Sequence, residues 1–270
     1  MPELPEVETT RRGLAPLIVG KNIEKILIHE PRLRWPVDPT LADRMQHQLI
    51  VNITRRGKYL LILTTAGTLV LHLGMSGSLR YLANPSTPLK HDHVDILFKS
   101  GELLRFNDPR RFGSLHYSNQ PEEHWLLRNM GPEPLGPNFT GKYLWNISRN
   151  RRVGIKQLLM NSRIVAGIGN IYANESLFKA GIHPIRSAKT ISLTRLTRLV
   201  EEAQQVLNAA IQKGGTTLQD FVGSDGRPGY FQLSLSVYGK EGQPCPRCAE
   251  YIKVHSINQR STYYCSNCQR

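Results

Sequence analysis

Four cysteines within the last 26 residues dictate how this chain must end. They stand as Cys245-Pro-Arg-Cys248 and Cys265-Ser-Asn-Cys268, two C-x2-C pairs with 16 residues between them. Each pair turns the backbone so that two thiolates converge, and this separation suits one tetrahedral Zn2+ held by both knuckles. Four thiolates leave no open coordination position, so the ion is structural, and a catalytic zinc is disfavoured. Two disulfides are the alternative; they belong to oxidising compartments, and nothing else in the sequence suggests secretion. A segment this short has little core of its own, so metal binding would supply its folding energy.

Upstream of the cysteines the pattern changes once. Residues 3–17 read as a helix, acidic early, with Arg11 and Arg12 later and Gly13 and Pro16 near its end. Eight short runs rich in Ile, Leu, Val, Thr and Tyr follow: 23–29, 49–54, 58–64, 68–73, 78–82, 93–99, 102–106 and 114–117. Turn signals such as Ala66-Gly67 and Ser100-Gly101 separate them, which predicts an antiparallel sandwich or barrel. Gly131-Pro-Glu-Pro-Leu-Gly-Pro137 is turn-rich and aperiodic, and predicts an interdomain linker at 132–137. Helices are expected beyond it at 143–148, 153–160, 168–180 and 193–212. The expected organisation is α+β in two domains: 1–131, then 138–242 after the linker, closed by the zinc finger at 243–270.

Charge narrows the partner. Lysine and arginine number 35 against 21 acidic residues, a formal net charge of +14 with a pI near 9.9. The basic residues are dispersed among apolar segments, as on a folded surface that meets a polyanion. No apolar run approaches the roughly 18 residues of a membrane span, and the N-terminus has no signal core. Nucleic acid is therefore favoured over membrane, and a cytoplasmic location is expected.

The first six residues, Met1-Pro-Glu-Leu-Pro-Glu6, allow two readings. Once Met1 is removed, Pro2 offers a secondary amine, a nucleophile able to form an iminium with a carbonyl or a sugar C1′. An α-amino group titrates at roughly 7.7–8, so an appreciable fraction is unprotonated near neutrality. Alternatively, the prolines merely pre-set an extended entry to a helix whose dipole favours Glu3, Glu6 and Glu8. A second ambiguous string, Arg163-Ile-Val-Ala-Gly-Ile-Gly-Asn-Ile-Tyr-Ala-Asn-Glu175, puts two glycines and Asn170 at a helix start. Amides there would suit a phosphate, although Gly-x-Gly is more often a packing turn, and no strand precedes it as a dinucleotide fold requires.

Six strings taken together point to a family. Met1-Pro-Glu-Leu-Pro-Glu-Val-Glu-Thr9, Arg56-Gly-Lys-Tyr59, His72-Leu-Gly-Met-Ser-Gly77, Asp108-Pro-Arg-Arg-Phe-Gly113, Ala166-Gly-Ile-Gly-Asn-Ile-Tyr172 and the cysteine hairpin occur in order across the chain. In this the chain resembles the bacterial formamidopyrimidine-DNA glycosylases. The resemblance implies an N-terminal helix plus antiparallel β-sandwich, a helical domain with a helix-two-turn-helix, and a four-cysteine zinc finger. It implies a bifunctional enzyme, acting as a monomer on double-stranded DNA. Such an enzyme removes 8-oxoguanine and formamidopyrimidines and then cuts the abasic strand by β,δ-elimination. An endonuclease VIII-like enzyme for oxidised pyrimidines and a non-catalytic DNA-damage binder are the alternatives.

By the same resemblance Pro2 is the nucleophile at C1′ and Glu3 manages protons during sugar-ring opening and elimination. Lys58 donates a proton in β-elimination and contacts phosphate; otherwise it is an ordinary edge-strand lysine. Arg260 serves δ-elimination and is held against phosphate by the zinc motif. Met75, Arg110 and Phe112 fill the void left by the extruded nucleotide, types suited to kinking DNA, as against two core residues and a solvated turn residue. His72, His91, Arg152, Lys156, Asn170 and Arg110 are DNA-binding, and for His91 a metal site is the rival. Cys245, Cys248, Cys265 and Cys268 hold the zinc. Residues 216–230, polar and rich in breakers, resemble a lid over the extruded base. Asn161-Ser162 departs from the Asp-Gln of many members, which puts polar contacts at that helix end in doubt.

Overall fold

A computed structural model describes residues 2–214 and 235–270; the lid expected at 216–230 lies outside the described residues. The described chain packs into two compact units, one of residues up to Arg128 together with Lys213 and Gly214, the other of Asn129–Gln212 and the described residues from 235 onward.

The first unit opens with α1 (Leu4–Ile18), whose apolar side buries Leu4, Val7, Leu14 and Ile18. All eight expected strand segments form, with small shifts at their ends: β1 (Ile23–Ile28), β2 (Ile50–Arg56), β3 (Tyr59–Thr64), β4 (Thr68–His72), β5 (Ser78–Leu82), β6 (Asp92–Phe98), β7 (Leu103–Asn107) and β8 (Ser114–Ser118). They make two antiparallel four-stranded sheets, ordered β1-β6-β7-β5 and β2-β3-β4-β8. Each sheet keeps its own two edge strands, which decides for a sandwich over a closed barrel. Ile23, Val94, Phe98 and Phe106 from one sheet share a core with Ile53, Ile62, Leu71 and Leu115 from the other, and α1 covers part of it with Val7 and Leu14. A further short helix, α2 (Leu41–Met45), escaped the sequence reading. It buries only Leu41 and Met45, too little for a periodic signal.

One charge cluster is sealed into the first sheet. The Arg105 side chain is 2% exposed and donates to both Asp95 oxygens at 2.7 Å, with Asp92 at 3.4 Å. It also donates to the Ser86 carbonyl at 2.7 Å, which fastens the loop leading to His91. A buried guanidinium is tolerable because its planar fork meets a carboxylate with two parallel bonds.

The second unit contains α3 (Gly141–Ser148), α4 (Ile155–Met160), α5 (Asn170–Ala180) and α6 (Leu193–Gln212). α6 is amphipathic and turns Leu196, Leu199, Val200, Ala203, Leu207 and Ala210 inward. α5 is buried nearly all round and ends on Gly181 in the left-handed conformation, the usual C-terminal stop. The proline-rich stretch lies within this unit. The Gly131 N–H donates to the Ser162 carbonyl, the Pro132 carbonyl accepts from Ala166 N–H, and Gln204 donates to the Pro134 carbonyl. The unit closes with a hairpin of β9 (Lys253–Ile257) and β10 (Arg260–Tyr264). Among the described residues no helix is long and apolar enough to cross a membrane.

Replacing Asp95 with Ala should strand the Arg105 charge inside the sheet. Urea denaturation is expected to show a loss of about 3–5 kcal/mol, the usual consequence of removing one partner of a buried pair. A loss within the range of ordinary surface substitutions would contradict this account of the cluster.

Candidate active site and metal centre

The first unit's candidate site begins where α1 begins. Pro2 is buried, Glu3 is 2% exposed and Glu6 is fully buried. The Glu3 N–H donates to Glu6 Oε2 at 2.8 Å, part of a capping box that fixes the first turn and so the position of Pro2. Further along α1, Glu8 accepts from Arg11, Arg12 and Arg55 at 2.8–3.2 Å. Burial alone would raise the Glu8 pKa, but these hydrogen bonds and charges outweigh it and hold the carboxyl at about 2. Arg55 also donates to the Gly57 carbonyl at 2.9 Å. Glu8 and Arg55 thereby tie α1 to the β2–β3 turn, where Gly57 has φ +58 and Lys58 follows.

Across β3 and β4, Tyr59 is paired with His72, and their rings lie 4.7 Å apart. His72 Nδ1 accepts the Gly74 N–H at 3.0 Å, so the neutral ring carries its proton on Nε2. Burial, reinforced by the charges of Lys58 and Arg34, pushes the His72 pKa down to about 3.

The expected void-filling residues come from two loops joined by one carboxylate. Asp108 is fully buried; Oδ1 accepts from the Ser76 hydroxyl at 2.8 Å and Oδ2 from the Gly113 N–H at 2.7 Å. Gly74, at φ +68, lies so close to this second loop that a Cβ would sit 2.4 Å from the Gly113 nitrogen and 2.5 Å from the Phe112 carbonyl carbon. On this scaffold Met75 is 36% and Phe112 44% exposed, high for large apolar side chains and unlike core residues. The Arg110 guanidinium lies 5.0 Å from the centre of the Phe112 ring. His91 adjoins the same loop, its carbonyl accepting the Asp108 N–H at 3.0 Å. The role of Asp108 was missed by the sequence reading, and so was that of Glu6; the signal was an acidic residue inside a loop otherwise rich in arginine.

In the second unit the four cysteine sulfurs lie within 4.8 Å of one another, the Cys245–Cys268 pair at 3.9 Å and the Cys248–Cys265 pair at 3.5 Å. None is disulfide-bonded. Zinc–sulfur bonds of about 2.3 Å in a tetrahedron place thiolates about 3.8 Å apart, so this donor set fits one Zn2+. The hairpin turn is the two-residue kind that needs positive φ twice: Asn258 at 49° and Gln259 at 60°. Arg260 follows, exposed, at the start of β10.

The hairpin is gripped from below by α4 and α5. Lys156, 2% exposed, donates to Thr262 Oγ1 at 2.7 Å and to the Ser261 carbonyl at 3.1 Å; Asn170 donates to the same carbonyl at 3.0 Å. Asn174 Oδ1 accepts the Tyr263 N–H at 2.9 Å. Glu175 accepts the N–H groups of Ser236, Val237 and Tyr238 at 2.8–2.9 Å and fixes the chain on its way to the finger. Asn174 and Glu175 were not singled out from the sequence, although a buried carboxylate in so apolar a helix is a visible anomaly. Between α4 and the hairpin tip lies a cavity of about 190 Å3, lined in part by Lys156, Asn161 and Arg260. At the end of α4, Asn161 Oδ1 accepts the Arg163 N–H at 3.0 Å. Arg152 is exposed just before α4.

Comparison with known proteins decides the family. Residues 1–115 match the formamidopyrimidine-DNA glycosylase N-terminal domain, 130–222 its H2TH domain, and 242–270 the zinc finger found in FPG and IleRS. The chain belongs to the formamidopyrimidine-DNA glycosylase family. Relatives of that name from Alkalilimnicola ehrlichii and Hydrogenovibrio crunogenus are 54% and 52% identical over all of this chain and 100% and 97% of their own lengths. The crystal structure of the Thermus thermophilus MutM (Fpg) protein superposes with a TM-score of 0.90 at 37% identity, covering 99% of this chain and 98% of that one. The Lactococcus lactis Fpg, solved with DNA containing an abasic site, gives 0.91 at 34% identity over the whole of both chains.

Two outcomes follow. Stripping the metal, or Cys248→Ser, should abolish amide-exchange protection at 253–264 while 50–72 stay protected; protection kept at 253–264 without metal would refute a structural zinc. Acid should also weaken the fold through His72. Its folded pKa of about 3 lies below the ordinary 6.5, so the unfolded chain takes up the proton first. Stability is lost progressively as pH falls from 6.5 toward 3. Urea titrations at pH 7 and 5 should show the drop, and His72→Gln should shrink it without removing it, because His116, His124 and His183 are lowered by burial too. An identical drop in the variant would count against His72.

Proposed function

We propose that this protein is a bifunctional DNA glycosylase and AP lyase that excises oxidised purines, 8-oxoguanine and formamidopyrimidines, from double-stranded DNA. It acts as a monomer, in the cytoplasm on the nucleoid. The observation that carries the reading is the pinned start of α1. A proline amine beside two buried carboxylates, fixed by the Glu3–Glu6 hydrogen bond, is a nucleophile held in one place. The solved Lactococcus relatives bound to abasic-site and Fapy-dG DNA support the substrate class.

In this reading the Pro2 nitrogen, freed by loss of Met1, attacks C1′ of an extruded nucleotide. The C–N bond to the base breaks, and its electron pair leaves with the purine. As the sugar ring opens, Glu3 delivers a proton to the departing ring oxygen, and the iminium to Pro2 remains. β-Elimination then passes the C2′ proton to the Glu3 carboxylate, left unprotonated by ring opening, and expels the 3′ phosphate, with Lys58 as proton donor; δ-elimination loses the C4′ proton to solvent and expels the 5′ phosphate, with Arg260 on the flanking backbone. Met75, Arg110 and Phe112 occupy the vacated space, since a base inside the stack is out of reach. His72, His91, Arg152, Lys156 and Asn170 set register on phosphates without reading sequence. For Lys156 the buried ammonium bonded to Thr262 favours an indirect share, by holding the Arg260 hairpin.

Borohydride reduction during reaction with an 8-oxoguanine duplex should trap a covalent adduct that maps to the N-terminal peptide. An adduct on Lys58, or none on any lesion duplex, would overturn the assignment; preferential trapping on oxidised pyrimidines would move the protein to the endonuclease VIII type.

A further inference from the structure

Beside the void-filling loops lies a basic and aromatic ledge that the sequence reading did not single out. The loop after β1 carries two cations and a ring within four residues, Arg32-Leu-Arg-Trp35. Arg32 is spoken for: it donates to Glu30 at 2.7–2.9 Å, and Arg111 reaches the same carboxylate at 3.4 Å. Arg34 differs. It is exposed, and among the described residues its guanidinium has no carboxylate partner; it lies instead over the Trp35 ring, 4.6 Å from the centroid.

That platform is itself braced. Trp35 meets the half-exposed Trp125 edge-on at 4.9 Å and His116 at 5.7 Å, and His116 packs on His124 at 5.2 Å. Burial lowers His116 to about 4 and lowers His124 as well, so the bracing rings are uncharged near neutrality and do not repel the guanidinium. The backbone fixes the ledge to the wedge, because the Arg34 N–H donates to the Gly113 carbonyl at 3.1 Å, next to Phe112. On its other side the Arg34 charge is felt at His72 and Tyr59, where Lys58 also acts on His72.

Resting on the DNA-repair reading above, we propose that Arg34 is a further phosphate clamp, carrying the duplex backbone across the gap between the Lys58–His72 cluster and the Phe112 wedge. A guanidinium stacked on an indole keeps its in-plane donors free for phosphate oxygens while the ring limits its rotamers, which lessens the entropy lost on binding. The net positive charge is what a polyanion requires, and the two acid-paired arginines nearby do not compete for it. Contact with phosphate supplies affinity and register, and it is blind to whether the base is damaged.

The test is the salt dependence of binding to a duplex with a tetrahydrofuran abasic analogue, measured by fluorescence anisotropy, with an undamaged duplex in parallel. Arg34→Ala and Arg34→Gln should each lower the slope of log affinity against log salt by about 0.9, the contribution of one phosphate, and weaken both duplexes by the same factor. Arg34→Lys keeps the charge and should keep the slope. Unchanged slopes in the neutral variants, weakening confined to the abasic duplex, or loss of slope in the lysine variant would overturn the proposal. Borohydride trapping of the wild type separates the two ideas: a trapped wild type with an indifferent Arg34 defeats only the clamp, whereas an untrapped wild type defeats the repair reading.

Discussion

A surface meant for a polyanion is crowded with like charge, and loops on such a surface cannot be ordered by a mesh of exposed ion pairs. This chain orders them from beneath, with carboxylates that are buried and accept backbone N–H groups. Asp108 holds the two wedge loops together, Glu175 collects three amides ahead of the finger, and Glu6 takes the amide of Glu3. A carboxylate bonded in this way satisfies donors that would otherwise be orphaned, and it leaves the cations outside free for a ligand. Every candidate functional side chain on these loops inherits its position from an acid that never meets solvent.

Much of the architecture was legible because it rests on local periodicity. The strands announced themselves by β-branched runs between turns, and the metal site by cysteine spacing alone, since two knuckles admit few geometries. The interior wiring was not legible. Asp108 reaches the Ser76 hydroxyl across 32 positions and Glu175 reaches the Val237 N–H across 62, and neither a serine nor a main-chain amide stands out in the sequence as a carboxylate's partner. Lys156 illustrates the same limit. Expected from the resemblance at a DNA phosphate, it is buried as a tether between α4 and Thr262, because a lysine's surroundings depend on what folds over it. α2 escaped for a plainer reason: five residues span barely more than one turn.

The two units are stabilised by different means. The first has a large shared core between its sheets and a sealed Arg105–Asp95 pair within one of them. The finger of the second has a core of a few residues, among them Phe178, Val237, Ile252 and the cysteines themselves. Removing the ion therefore withdraws part of that core as well as the cross-link. Arg260 sits on the element with the smallest apolar reserve, and its placement depends most on a metal it never touches.

The close approach of Gly74 to the Phe112–Gly113 backbone has a mechanical meaning. With no room for even one more carbon between them, and with Asp108 bonded to both, the loops bearing Met75, Arg110 and Phe112 have lost their separate degrees of freedom. They form a single rigid tooth. In the proposed repair role, such a tool presses all three side chains into the stack in one motion, so each base pair is tested against their combined insertion and not by one probe at a time.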